Sequence, residues 1–204
     1  MMQNILLFGG TFDPVHNGHV SLLQNAHALV SPDKTLVIPA ALPPHKDAAK
    51  TSGALRLAMC EALAAAVPGG EVEPMELLRG GRSYTIDTVH TLMQNYPNAR
   101  FYFCMGGDML LYFTEWREWQ TLLACVTLVV QNRQDADMRA VRLAAKALAA
   151  KGGRVLLTKA EPAPLSSTAV REALCRGADI TQLVPPQVAK MIAQHQLYSE
   201  CAQQ

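Results

Sequence analysis

The sequence predicts an α/β fold with a doubly wound parallel sheet, helices on both of its faces and a C-terminal helical segment. Short apolar runs of strand length recur along the chain, and longer stretches with helical periodicity separate them. Half of the 204 residues are apolar, which is enough to build one substantial core. This alternation implies parallel strands joined by crossover helices, and we expect residues 1–204 to form a single domain.

The predicted strands are short apolar runs bounded by polar or turn residues. They cover residues 5–8, 35–38, 101–105, 125–130 and 154–157. The first run starts almost at the N-terminus and leads directly into two glycines. Ligands of doubly wound sheets bind beyond the carboxyl ends of strands near the point where the strand order reverses, and we expect the loop after residue 8 to lie there.

The predicted helices are the periodic stretches between these runs. They cover residues 16–30, 53–66, 85–95, 118–123 and 138–150. The last of these is rich in Ala, Leu, Lys and Arg and is stopped by Gly152 and Gly153. The tail predicts two more helices, at residues 167–176 and after Pro186, and we expect the segment 166–204 to pack on the sheet.

Composition and charge favour a small-molecule partner. The net charge is +1 and the charges are interspersed without a basic tract, which argues against nucleic acid. No run approaches membrane-spanning length and no signal-peptide pattern begins the chain, so we expect no membrane association and a cytoplasmic location. Five scattered cysteines without a C-x-x-C pair favour reduced, mostly buried thiols: Cys60, Cys104, Cys125, Cys175 and Cys201.

The loop after the first strand predicts a phosphate site. Gly9 and Gly10 are expected to let the chain turn sharply and to bring backbone N–H groups close to an anion. Pro14 ends the extended segment before a helix begins near His16. The N-terminus of that helix favours negative charge, so this loop is suited to a nucleotide.

Two histidines strengthen this hypothesis. His16 and His19 are three residues apart, so both imidazoles would lie on one face of the first helical turn and donate to one phosphate group. A zinc site is disfavoured, because metalloprotease helices space two histidines at i,i+4 around a Glu that is absent here. A hydride-transfer enzyme is disfavoured because the third glycine of the dinucleotide fingerprint is missing.

A second anion site is predicted near residue 166. Ser166 or Ser167 can cap a helix whose first turn presents hydroxyls and N–H groups, including the hydroxyl of Thr168. Arg171 lies one turn further along and can reach the same region. A plain N-cap with a surface arginine is the alternative, but together with the first loop the motif suggests a nucleotide held from two sides.

Six motifs occur in order along nearly the whole chain: residues 9–19, Pro43-Pro44-His45-Lys46, Ser83-Tyr84-Thr85, Gly106-Gly107-Asp108, Trp116 and residues 166–171. Together they resemble the bacterial nicotinate-nucleotide adenylyltransferase family, part of the nucleotidyltransferase superfamily. The resemblance implies a Rossmann-like fold and transfer of AMP from ATP to nicotinate mononucleotide. The products would be deamido-NAD and pyrophosphate, formed by direct in-line attack with Mg²⁺ as cofactor and no covalent enzyme intermediate.

The resemblance also implies residue roles. His16, His19 and Arg171 would be catalytic, neutralising charge on the ATP phosphates, and no protein residue is assigned as a metal ligand. The ATP site would comprise Gly9, Gly10, Thr11, Phe12, His16, His19, Gly106, Asp108, Ser166, Ser167, Thr168 and Arg171. The mononucleotide site would comprise His45, Lys46, Ser83, Tyr84, Thr85, Trp116 and Arg133.

Several of these residues have structural alternatives. Asp108 could contact the nucleotide sugar or a metal, or could simply cap a helix. Lys46 could be a solvated loop lysine. Trp116 is implied to stack on the nicotinate ring, whereas Trp119 is expected to pack in the core. Arg133 is retained from the family pattern, but the Pro-Gly that commonly follows it is missing.

Other functions remain open. Within the superfamily, the acceptor could be nicotinamide mononucleotide, phosphopantetheine or a phosphorylated alcohol. A nucleotide-binding regulator without chemistry is a further alternative. The presence of four groups that can neutralise charge argues against it: His16, His19, Lys46 and Arg171. His27, His90 and His195 lie in helical stretches without partner motifs and are interpreted as ordinary helix residues.

Overall fold

The computed structural model describes residues 2–43, 49–131, 138–158 and 165–199. Its sheet has six parallel strands in the order β3-β2-β1-β4-β5-β6, so the chain winds in one direction from β1 and in the other from β4. The predicted doubly wound parallel sheet is therefore confirmed. The strands are β1 (Gln3–Gly10), β2 (Lys34–Pro39), β3 (Gly70–Val72), β4 (Ala99–Gly106), β5 (Val126–Gln131) and β6 (Arg154–Leu157).

Helices connect the strands, and the seven predicted helices are all present with shifts of one or two residues at several ends. The helix expected at residues 118–123 begins at Trp119, because Glu118 has a left-handed φ of 51° that a helix interior excludes. A 3₁₀ turn spans Phe113–Glu115. The helices are α1 (Asn17–Val30), α2 (Gly53–Ala64), α3 (Met75–Arg79), α4 (Thr85–Asn95), α5 (Gly107–Leu111), α6 (Trp119–Cys125), α7 (Met138–Ala150), α8 (Ser167–Cys175) and α9 (Pro186–Gln194).

Three short elements were not predicted: strand β3 and helices α3 and α5. Strand β3 has only three residues, none of them buried, so it lacks an apolar run. It forms because its backbone pairs with β2, from Thr35 opposite Gly70 to Val37 opposite Val72. Gly70 is required there, since an added Cβ would lie 2.0 Å from the carbonyl oxygen of Ala64.

The two faces of the sheet carry different helices. Ile5 and Leu7 of β1 enter one core cluster with residues of α4, α6 and α7. Leu6 and Phe8 point to the opposite face and enter a second cluster with residues of α1, α2, α8 and α9. The C-terminal helices therefore pack on the same face as the helix that follows β1.

The described cysteines are buried or half-buried, in line with the buried thiols that the sequence predicts. Cys60 and Cys104 are buried, Cys125 is half-buried, and these three are free thiols. Cys175 is also half-buried, and Cys201 lies outside the described residues. Burial raises the pKa of Cys60 to about 12, so this thiol stays protonated at neutral pH. Among the described residues, no helix has the length and apolar character needed to cross a membrane.

The turn after β1 differs from the prediction. Gly9 and Gly10 do not turn the chain but continue the strand opposite Ile38 and Pro39 of β2. The turn occurs at Phe12, whose φ of 52° is left-handed. Gly10 serves a different purpose, because an added Cβ would lie 2.8 Å from Cζ of the Phe12 ring. The missing side chain makes room for this buried ring.

We therefore expect Gly10→Ala to lower the free energy of unfolding by about 1–3 kcal/mol, since Phe12 has to move from a packed position. Gly9→Ala is the matched control, because its Cβ would make an ordinary 3.7 Å contact with the Phe103 ring. Urea unfolding of both variants measures the difference. Equal losses in the two variants would contradict this account.

Candidate active site

The candidate site lies at the reversal point of the sheet. Strands β1 and β4 are neighbours there, and the chain leaves them in opposite directions. The loop after β1 and the start of α5 after β4 both lie at the carboxyl edge, as expected for a ligand crevice.

His16 and His19 form a reciprocal capping box at the start of α1. Nδ1 of His16 accepts the backbone N–H of His19 at 3.3 Å, and Nδ1 of His19 accepts the backbone N–H of His16 at 3.2 Å. The rings stack with centroids 3.6 Å apart. His16 is thus the N-cap and not part of the first turn, but the prediction that the two rings lie together is confirmed.

The capping box fixes the protonation pattern of both rings. Because each Nδ1 accepts a hydrogen bond, the proton of each neutral imidazole is held at Nε2. Phe12 packs edge-on against His19 at 5.1 Å and against Phe8 at 5.3 Å, and so limits the orientations of the His19 ring. The arrangement can offer two adjacent N–H donors to an anion.

The start of α8 contacts this loop directly. Ser166 caps the helix by accepting the N–H of Ala169 at 3.1 Å, and Ser167 Oγ donates to the carbonyl oxygen of Pro14 at 2.9 Å. Arg171 Nη1 donates to the carbonyl oxygen of Asp13 at 2.6 Å. The structure therefore brings the two predicted anion motifs together, and Arg171 is not an isolated surface cation.

The remaining hydrogen bond of Arg171 orients its guanidinium within α8. Nη2 donates to Thr168 Oγ1 at 3.1 Å, one turn earlier in the same helix. The planar guanidinium of Arg171 thus donates to two acceptors in fixed directions. A lysine ammonium would reproduce this geometry poorly.

At β4, Gly106 ends the strand and is the N-cap of α5, so Asp108 is the second residue of that helix. The helix-cap alternative for Asp108 is therefore wrong. Its position in the first turn, directly after the strand, places Asp108 at the carboxyl edge of the sheet, the edge at which the loop after β1 also lies.

The second group of predicted residues lies at the start of α4. Tyr84 is the N-cap and Thr85 the first helical residue. The guanidinium of Arg117 lies 4.8 Å from the centroid of the Tyr84 ring. Ser83 is buried, and its Oγ accepts the N–H of Ala41 at 3.0 Å, which ties the chain after β2 to the start of α4.

Trp116 is half-buried at the edge of the first core cluster. Its ring meets Phe103 edge-on at 5.9 Å and Phe113 at 5.5 Å in a tilted contact. Trp119 is also half-buried and packs on the same cluster, with Lys151 Nζ 5.7 Å from its ring centroid. Both tryptophans thus anchor in the core, and neither is fully enclosed.

Three predicted residues, His45, Lys46 and Arg133, lie outside the described residues. The chain on either side of residues 44–48 is held in place. Leu42 bridges to Arg82, and the N–H of Lys50 donates to Asp13 Oδ2 at 2.7 Å.

Sequence reasoning missed Arg56. This arginine is only 3% exposed, and its Nη1 donates to the carbonyl oxygens of Thr11, at 2.9 Å, and Ala40, at 2.7 Å. Burial lowers the pKa of Arg56. It joins the loops that follow β1 and β2, but inside a predicted helix nothing distinguishes it from a surface arginine.

Comparison with known proteins agrees with this geometry. Residues 7–173 match the model of the cytidylyltransferase-like family. A relative from Bordetella avium, described as a probable nicotinate-nucleotide adenylyltransferase, is 36% identical over 97% of this chain and 98% of its own. A relative with the same description from Shouchella clausii is 38% identical over 98% of both chains. Another, from Bordetella petrii, is 39% identical over 97% of this chain and 100% of its own. The chain belongs to the nicotinate-nucleotide adenylyltransferase family.

Solved structures share the fold of this family member. A Plasmodium falciparum nicotinic acid mononucleotide adenylyltransferase complexed with NaAD aligns with a TM-score of 0.77 at 20% identity, over 98% of this chain and all of its own. A putative nicotinate-nucleotide adenylyltransferase from Vibrio parahaemolyticus gives a TM-score of 0.68 at 19% identity, over 98% of both chains.

Behind the start of α4, this family member carries a buried carboxylate that the sequence did not reveal. Glu76 of α3 is 7% exposed and accepts the hydroxyl of Thr88 at 2.6 Å. Burial raises its pKa, and hydrogen bonds from Thr88 and Ser83 offset part of that shift. The hydrogen bond between Glu76 and Ser83 stabilises the turn that leads into α4.

The raised pKa of Glu76 predicts a pH dependence. A carboxyl group with a higher pKa in the folded than in the unfolded state contributes stability that is complete below the unfolded pKa and is lost as pH rises through the folded pKa. Glu76→Gln removes this loss. We expect the variant to gain stability relative to wild type as pH rises from about 4.5, the ordinary pKa of a glutamate, to neutral pH, because wild type alone has to ionise a buried carboxyl group over this range.

Urea unfolding across this range measures the gain. Glu61→Gln on the exposed face of α2 is the matched control and should run parallel to wild type. A Glu76→Gln curve parallel to wild type would contradict the assignment of the pH dependence to Glu76.

Proposed function

We propose that this chain transfers AMP from ATP to nicotinate mononucleotide, yielding deamido-NAD and pyrophosphate, as a step of NAD biosynthesis. The curated relatives, 36–39% identical, carry the name of this activity. The observation that carries the proposal is the hydrogen bond from Arg171 of α8 to the carbonyl oxygen of Asp13, in the loop that leads into the His16–His19 capping box. It brings together, from both ends of the chain, groups that are chemically suited to bind phosphate.

In this reaction the mononucleotide phosphate is the nucleophile and attacks the α-phosphate of ATP in line. The protein therefore needs no nucleophilic Ser or Cys, and its contribution is alignment and charge neutralisation. We assign the Nε2–H groups of His16 and His19 and the guanidinium of Arg171 to the ATP phosphates. These donors would stabilise the charge that develops on the leaving pyrophosphate.

The rest of the ATP site would surround these groups. The strand end and turn of residues 9–12 would supply backbone contacts, and Gly106 and Asp108 would face the nucleoside. Ser166, Ser167 and Thr168 would present the start of α8, where backbone N–H groups and the helix dipole favour an anion.

The acceptor would bind at the start of α4. The first N–H groups of this helix, at Tyr84 and Thr85, have no intrahelical partners and can donate hydrogen bonds to the nicotinate carboxylate. Trp116 would stack on the pyridine ring with the face left by its core contacts. Ser83 would act by holding this turn, and His45, Lys46 and Arg133 would contact the mononucleotide.

Mg²⁺ is the cofactor we propose, bound mainly through the ATP phosphates. Mg²⁺ typically uses one or two protein carboxylates together with substrate phosphates, and Asp108 at the crevice suits that role. The ion would neutralise phosphate charge. Within the described ranges, no cluster of three or more His, Cys, Asp or Glu side chains forms a protein cage for a metal.

We further propose that the whole chain works as one domain in the cytoplasm, with small molecules as its partners and with neither nucleic acid nor membrane. The shared core cluster of β1, α1, α8 and α9 supports the single domain. The balanced charge of +1 supports small-molecule partners, because it creates no extended basic field.

His19→Ala should lower kcat on the order of 10²-fold or more while leaving KM for the mononucleotide nearly unchanged, because its donor acts on charge that grows in the transition state. Pyrophosphate release measures the rate, and thermal melting checks the fold. His90→Ala on the exposed face of α4 is the control. An unchanged kcat in a folded variant would remove His19 from the mechanism.

Trp116→Ala should raise KM for nicotinate mononucleotide by an amount equivalent to about 1–3 kcal/mol of lost stacking and leave KM for ATP nearly unchanged. Trp116→Phe keeps an aromatic face and should recover much of the loss. Parallel assays with nicotinate and nicotinamide mononucleotide test the acceptor itself. The wild type should prefer the acid, because an amide leaves a donor of the carboxylate site unpaired.

These assays also expose a wrong assignment. Equal kcat/KM for the two mononucleotides in the wild type would overturn the nicotinate assignment. No pyrophosphate release with any acceptor would favour a nucleotide-binding regulator. An unchanged acceptor KM in Trp116→Ala would return Trp116 to a purely structural role.

A further inference from the structure

The hydroxyl of Tyr198, beyond the last helix, lies at the centre of a hydrogen-bonded chain inside the candidate site. It donates to Asp13 Oδ1 at 2.6 Å and accepts the hydroxyl of Thr51 at 2.7 Å. Asp13 is 5% exposed, so its carboxylate depends on hydrogen-bond donors from the protein. The second oxygen of this carboxylate accepts the backbone N–H of Lys50.

Asp13 is therefore held at two points from the C-terminal part of the chain. Arg171 of α8 binds its backbone carbonyl, and Tyr198 binds its side chain. The residue stands in the loop between β1 and the capping box of His16. A shift of Asp13 would move the segment that presents both histidines.

Thr51 and Lys50 connect the same network to the proposed acceptor loop. They follow residues 44–48, which include His45 and Lys46, and they precede α2. The hydroxyl of Tyr198 thus links Thr51, just after the proposed acceptor loop, to Asp13, in the loop after β1. Neither residue belongs to a strand of the sheet.

The backbone at Tyr198 is set by the C-terminal helices. The N–H of Leu197 donates to the carbonyl oxygen of Ile192 in α9, and Cys175 Sγ of α8 donates to the carbonyl oxygen of Tyr198 at 3.8 Å. Tyr198 has a left-handed φ of 63°, which is uncommon for a bulky residue.

We propose that Tyr198 is a positioning residue. Its hydroxyl sets the position of Asp13, in the loop between β1 and the His16–His19 capping box, relative to residues 49–52, which follow the proposed acceptor loop. This role rests on the proposed adenylyl transfer. Burial and the hydrogen bond to Asp13 raise the pKa of Tyr198 above its usual value, so the hydroxyl keeps its proton and donates at every working pH.

Tyr198→Phe removes only this hydroxyl. With both substrates saturating, and with rates normalised to the folded fraction, we expect kcat to fall by about tenfold, the size of one lost hydrogen bond to a charged group. Tyr96→Phe, at the end of α4 and the opposite end of the sheet, is the matched control and should leave kcat unchanged. A purely structural role would lower the melting temperature and leave the normalised kcat at the wild-type value.

A double-mutant cycle tests the route through Asp13. If Tyr198 acts through this carboxylate, then adding Tyr198→Phe to Asp13→Asn should lower kcat by less than twofold beyond Asp13→Asn alone. Additive losses would overturn the proposal. Should Tyr198→Phe fail to fold, Thr51→Val decides: it should lower kcat in the same direction, and a wild-type kcat would overturn the proposal.

Hydrogen exchange separates this inference from the proposed function. Tyr198→Phe should speed amide exchange in residues 11–15 and 49–52 without affecting the strands, whatever reaction the protein catalyses. If exchange is faster in Tyr198→Phe but the wild type releases no pyrophosphate, the adenylyl transfer is refuted and the positioning role is retained. Unchanged exchange together with wild-type kcat would refute the positioning role alone.

Discussion

The guanidinium of Arg171 reaches from the C-terminal helix α8 to the backbone carbonyl of Asp13, 158 residues earlier in the chain. A charge-assisted hydrogen bond to a main-chain oxygen fixes the loop itself and not merely one side chain. Ser167 supports it with a second bond to the next residue, Pro14. The junction exists because α8 and α1 pack on the same face of the sheet, so the core cluster and the site depend on one another.

A second constraint is local. The capping box of His16 and His19 satisfies two N–H groups at the start of α1, a contribution of about 1 kcal/mol for a typical cap. The same bonds place the ring protons on the sides away from the backbone. Helix stability and the proposed phosphate binding therefore depend on the same two side chains, and this limits which substitutions the chain tolerates at either position.

Much of the fold could be predicted from the sequence, because short apolar runs and stretches with helical periodicity directly indicate which residues are buried. Strand β3 could not, since its backbone pairing with β2 supplies what its side chains lack. The pair Gly9-Gly10 predicts a turn at a point where the structure continues strand β1. A glycine that makes room for an aromatic ring has the same sequence signature as one that turns the chain, and only the position of Phe12 distinguishes them.

The sequence by itself determined the parallel α/β architecture, the two anion motifs and the family resemblance, because spacing along the chain records local geometry. Tertiary structure alone decided the contacts that cross the chain: Arg56 between the loops after β1 and β2, Glu76 behind the start of α4, and Tyr198 against Asp13. These residues have ordinary sequence neighbours. Their significance comes from burial and from acceptors far away in sequence, and neither exists until the sheet and its helices have assembled.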